Sequence, residues 1–138
     1  MTNVVKEAAS NEHQKLVKAL IDKFIESKLE IRQAAYEGYE EPDKVGRHAP
    51  DIRAYKPEEE LNIIGEAKIC EDLKSERSKE QFQDFSSRQM TKGKSEGKAV
   101  PFHIITPKAC EDELNLVLLE LGLSDKPNII RWSFVSTS

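Results

Sequence analysis

Apolar and polar positions alternate along the chain on two periods, and the switches between them mark out its elements. Leu16, Val17, Leu20, Ile21, Phe24, Ile25, Leu29 and Ile31 recur at three- and four-residue intervals, which predicts an amphipathic helix from about 11 to 34, capped by Ser10 or Asn11, behind a flexible lead-in at 1–9. DIRAY, from Asp51, and NIIGEAKI, 62–69, are short runs bounded by the charged turn KPEEE and by CEDL, and read as two strands able to pair. A helix follows over 75–90, with Phe82 and Phe85 on its packing side. A strand comes next, from Val100 to Pro107, with His103 expected to face away from the core. CEDELNLVLLELGL reads as a further amphipathic helix ending near Gly122, and NIIRWSFV as a closing strand. The segment YEGY, 36–39, reads either as a short edge strand or as a pair of stacking tyrosines.

In a strand, Glu66 and Lys68 share one face and Ala67 takes the other. An anion and a cation are thereby offered to the same small volume. Pairing of the two strands would bring Asp51 beside Glu66, and two close carboxylates repel unless a cation separates them. A hard divalent ion with oxygen ligands suits that place. A second Pro-Asp pair, Pro42-Asp43, lies in a turn-rich stretch with no apolar strand after it, so Asp51 is preferred.

Pro50-Asp51 followed by Glu66-Ala67-Lys68, with GEAKICEDLKSERSKEQFQDF continuing into the next helix, resembles the PD-(D/E)XK nuclease superfamily over residues 10–108. The resemblance implies an α/β fold, a restriction-endonuclease-like three-layer sandwich in which helices flank a central mixed β-sheet. It also implies a divalent-metal-dependent endonuclease that hydrolyses DNA phosphodiester bonds, structure-selective or directed by a partner. Mg²⁺, with Mn²⁺ as substitute, would be held by Asp51, Glu66 and the Ala67 carbonyl, with Glu12 as a further ligand from the first helix. Lys68 would orient or activate the attacking water, and Gln81 would point back at the site. The alternative is a nuclease-fold DNA-binding or assembly module with little or no turnover.

Length and charge refine this expectation. A chain of 138 residues, 38% hydrophobic and 33% charged, reads as one globular domain. No run of residues is apolar enough for a membrane span or signal peptide, so cytoplasmic residence is expected. The net charge of −4 is unevenly spread. Residues 44–57 carry four basic side chains against Asp51, and residues 77–108 carry seven against three acids, whereas 58–76 is −5. An acidic centre between basic patches suits a phosphate backbone. Arg47, Arg53, Arg77, Lys79, Lys92 and Lys94 are the candidate nucleic-acid contacts, the last two in a glycine-containing loop, 88–100. No base-reading module or nucleotide-binding GxxxxGK loop is present in the sequence. Cys70 and Cys110 are expected as free thiols. The final helix and strand could serve a homodimer or a larger partner, with Trp132 either anchoring that surface or lying in the core.

Overall fold

The structure, a computed structural model, describes residues 2–135, with side chains described from Asn11 onward. In chain order the elements are α1 (Thr2–Glu26), β1 (Glu30–Ala34), β2 (Ile52–Lys56), β3 (Leu61–Ala67), α2 (Glu76–Ser86), β4 (Phe102–Pro107), α3 (Glu111–Glu120) and β5 (Ile129–Phe134). The sheet order is β1-β2-β3-β4-β5. The first three strands are antiparallel neighbours, and β3, β4 and β5 run parallel. Parallel neighbours need crossovers, which α2 and α3 supply.

Two cores separate the layers. Leu16, Val17, Leu20, Ile21 and Phe24 of α1 pack on Ala34, Ile52, Ala54, Ile63, Ala67 and Ile105. On the opposite face, Phe82 and Phe85 of α2 and Leu114, Val117 and Leu118 of α3 pack on Ile64, Phe102, Ile104 and Ile129. The result is a mixed five-stranded sheet with helices on both faces, an α/β sandwich. Gly65 lets α1 approach closely, because a Cβ there would lie 3.0 Å from Leu20 Cδ2 and 3.2 Å from Ile52 Cβ. None of the described helices is long and apolar enough to cross a membrane.

Several expectations are corrected. The helix expected to run to residue 34 stops at Glu26. Lys28 adopts a left-handed conformation (φ 63°), and its N–H donates to the Ile25 carbonyl while that of Leu29 donates to Phe24, a Schellman ending. Leu29 and Ile31 continue the apolar spacing, but Ile31 does so from a strand: β1 forms over 30–34, and YEGY makes the turn after it. The helical backbone also begins ahead of the expected cap, at Thr2.

His103 faces the α1 layer, where it meets Phe24 edge-on and stacks on Trp132. Its Nδ1 accepts from Trp132 Nε1 at 2.9 Å, and burial pushes its pKa down to about 4.

Cys70 and Cys110, expected as free thiols, form a disulfide with Cα atoms 5.8 Å apart, within the usual range for a bridge. Their separation of 40 residues carries no signal in the sequence. It is the parallel register, with Ala67 beside Ile105, that sets the turns after β3 and β4 side by side. Closing a loop of that length is expected to stabilise the fold by on the order of 4 kcal/mol through the unfolded state. Urea unfolding of the Cys70→Ser/Cys110→Ser double variant should therefore show a lower midpoint than the oxidised protein, and reductant should move the parent but not the variant.

Candidate active site where β2 and β3 part

The β2–β3 ladder ends at Ile52 opposite Gly65. Beyond that rung β3 stays with β4, the Lys68 N–H donating to Ile105 at 3.0 Å, while its other edge parts from β2. Backbone donors left at such a fork must find other acceptors. Here two carboxylates provide them: the Asp51 N–H donates to Glu66 Oε1 at 3.0 Å, and the Ala67 N–H donates to Asp51 Oδ2 at 2.9 Å. Each acid is thereby fixed by the strand opposite it.

Lys68 brings its ammonium to 3.3 Å from Glu66 Oε2 and donates to Gln81 Oε1. All three side chains are enclosed, with Glu66 3%, Gln81 3% and Lys68 7% exposed. Gln81 reaches the site because α2 buries Ser78, Gln81, Phe82 and Phe85 along one stripe. Ser75 starts that helix, accepting from the Ser78 N–H at 3.1 Å. Burial, reinforced by the nearby Asp51 charge, raises the Glu66 pKa well above the ordinary value of 4.5, even against the opposing pull of Lys68. The ion-pair distance alone suggests a comfortable carboxylate, but desolvation outweighs it.

Lys68 is enclosed along with Glu66, so deleting its ammonium would leave Glu66 buried beside Asp51 without that cation.

The structure brings Asp51, Glu66, Ala67, Lys68 and Gln81 together. Glu12 does not join them: it is exposed and lines a separate groove of about 420 Å³ with Lys15, Lys108 and Phe134. The α1 residue at the site is His13, whose Nε2 lies 3.1 Å from Asp51 Oδ2; the Asp51 hydrogen bond raises its pKa. Sequence reasoning missed His13, although it heads the row Val17, Leu20, Phe24 that the helical period turns toward the sheet. Asp43 of the second Pro-Asp pair instead takes its N–H to Gln33 Oε1 at 2.8 Å.

The six candidate phosphate contacts divide. Arg53 and Lys92 line a groove of about 720 Å³ with Arg32, Lys44 and Arg88, over the face of β1 and β2. Arg53 pairs across the ladder with Ile64, one side-chain repeat, roughly 7 Å, from the Asp51–Glu66 level on the same face. Its guanidinium donates to Gln33 Oε1 at 2.9 Å. Arg47, Arg77 and Lys79 lie around α2: the Arg47 guanidinium is 3.9 Å from Glu80, and Lys79 is 4.0 Å from Glu76. Lys94 is tied elsewhere, donating to the Glu58 carbonyl at 3.1 Å.

Compared with known proteins, the chain matches no family model, no curated protein and no solved structure. Among the described residues, no group of three or more His, Cys, Asp or Glu side chains is arranged to hold a metal ion. The donors available at the fork are the two carboxylates and backbone oxygen.

The raised Glu66 pKa fixes a sign for the pH dependence of stability. A carboxyl that keeps its proton longer when folded contributes stability that is complete below pH 4.5 and is lost as pH rises through its higher folded value. In a chelator, the urea midpoint of the parent should therefore fall relative to that of Glu66→Gln as pH is raised from 4.5 toward 9. A constant difference between the two proteins across that range would contradict the assigned burial cost.

Proposed function

We propose that this chain is a divalent-cation-dependent endonuclease hydrolysing DNA phosphodiester bonds, built on a restriction-endonuclease-like sandwich. The observation that carries the reading is the convergence of Asp51, Glu66 and Lys68 at the strand fork, where burial and a neighbouring acid disfavour the Glu66 anion. A stability cost of this kind is characteristic of sites kept for chemistry. The donor set suits Mg²⁺ or Mn²⁺: two hard oxygen acids lie in one small enclosure, and an ion there would favour the Glu66 anion that burial and Asp51 oppose. Asp51, Glu66 and the Ala67 carbonyl would hold the ion. When bound, it supplies Lewis acidity toward a phosphate oxygen and makes a water easier to deprotonate.

The chain's own residues do the rest. Lys68, steadied by Gln81, presents a positive charge to the attacking water or to the oxygens of the phosphorus as negative charge grows on them. Asp51 and Glu66 keep fixed positions because each accepts a backbone N–H from the opposite strand, so little reorganisation accompanies the reaction. Arg53 and Lys92 in the groove are placed to hold flanking phosphates, and Arg47, Arg77 and Lys79 to steer the polymer. With no base-reading module in the sequence, selection would rest on DNA structure or on a partner. A second copy or larger partner would meet α3 and β5, where Leu116 and Leu119 are 58% and 63% exposed. Cytoplasmic residence belongs to the same proposal, and the Cys70–Cys110 bridge would there meet a reducing thiol pool.

The test is single-turnover cleavage of labelled duplex, single-stranded, flap and four-way DNAs with Mg²⁺ or Mn²⁺, comparing the parent with Lys68→Met, which retains the buried stem. Loss of the ammonium should slow cleavage roughly a hundredfold or more while the ion still binds. A folded Lys68→Met protein cutting at the parental rate would remove Lys68 from the chemistry. Binding of both DNA and the ion without any cleavage would instead favour a DNA-binding or assembly module on the same fold.

A further inference from the structure

We infer that His13 is a positioning residue that holds the Asp51 carboxylate in its cation-facing orientation, an inference that rests on the reading of Asp51 as a ligand. Asp51 Oδ2 accepts from two directions: the Ala67 N–H at 2.9 Å along the sheet, and His13 Nε2 at 3.1 Å from α1. The terminal torsion of an aspartate is broad and two-fold, so a single hydrogen bond restrains it poorly. Two donors on one oxygen fix the plane of the group. Among the described residues no N–H donates to Oδ1, so it is left as the oxygen for a cation. The partner at Nε2 is a carboxylate oxygen, so the hydrogen lies on Nε2 in the neutral and the protonated ring alike, and the contact does not depend on titration. That hydrogen also occupies the lone-pair direction through which Nε2 would otherwise ligate a metal, so His13 acts through Asp51.

The anchor behind His13 is firm. One turn further along α1, Leu16 and Val17 are fully buried, as are Leu20 and Phe24 beyond them, and the missing side chain of Gly65 seats Leu20 and Phe24 directly against β3. The ring is therefore held by the main helix–sheet contact. Partners that orient a metal-binding carboxylate typically change affinity 10–100-fold when removed.

The experiment is calorimetric titration of the full chain with Mn²⁺ alone, comparing the parent with His13→Leu, His13→Gln, Asp51→Asn and the His13→Leu/Asp51→Asn double variant. His13→Leu should weaken Mn²⁺ binding roughly 10–100-fold. His13→Gln, which places an amide N–H near the position of Nε2, should restore most of the affinity, and His13→Leu should add nothing once Asp51 is Asn. His13→Asn, polar but too short to reach Asp51, should behave as His13→Leu and stands in for it if the apolar variant does not fold. Parental affinity in a folded His13→Leu or His13→Asn protein overturns the inference while leaving the site reading intact, and an equal loss in the Asp51→Asn background overturns it in the same way. A parent protein that binds no Mn²⁺ overturns the site reading, and the inference with it.

Discussion

The interaction on which the rest of the site depends is the exchange between Asp51 and Glu66 at the fork. Each carboxylate takes a backbone N–H from the segment opposite it, just past the last rung of the β2–β3 ladder, Glu66 from Asp51 and Asp51 from Ala67. A strand pair that simply frayed there would expose its backbone to water and leave the acids mobile. Continued regular pairing would have left no opening. The fork is held because β3 continues beside β4 while β2 turns away, and because α1 presses on Gly65 at the last paired rung.

Two buried titratable groups show what is particular about this place. His103 is also desolvated, but it responds by staying neutral, accepting the indole N–H of Trp132 and packing against Phe24. It fills space in the α1 layer. Glu66 sits between an acid that opposes its ionisation and a lysine that favours it, so neither protonation state is free of cost. Lys68 and Gln81 reduce that cost from the α2 side, and His13 holds Asp51 from the α1 side. The site thus draws on both helical layers through a single strand end.

The layers cover the sheet unequally. The eleven residues of α2 pack over β3 and β4, together with α3, leaving the α2-side face of β1 and β2 to polar and basic side chains that line a groove. Glu30 and Gln33 of β1 lie opposite Tyr55 and Arg53 on that face, whereas Ile31 and Ala34 pack toward α1. At the far end of β3, the Cys70–Cys110 bridge ties the two turns that follow the parallel strands, two residues past Lys68. The open groove thus borders the first half of β3, and the tied turns lie past its end.

Local pattern alone determined much of this. The apolar runs of β2, β3 and β5, the stripe of α2 and the apolar residues of α3 are each legible because burial on one face imposes a period, and the spacing of Asp51, Glu66 and Lys68 follows from the strands that carry them. Tertiary structure decided what period cannot encode. The end of α1 depends on Lys28 taking a left-handed conformation without glycine, and β1 formed from residues whose spacing also suits a helix, because β2 offered them an edge. The pairing of Cys70 with Cys110 required the parallel register of β3 and β4. The exchange of Glu12 for His13 turned on a rotation of about 100° between adjacent helix positions, fixed only when Val17, Leu20 and Phe24 met the sheet. The burial of Lys68 came from α2 folding over it, a contact thirteen residues away along the chain. Sequence spacing states which groups can share a face; which of them meet, and how far from water, is set by long-range packing.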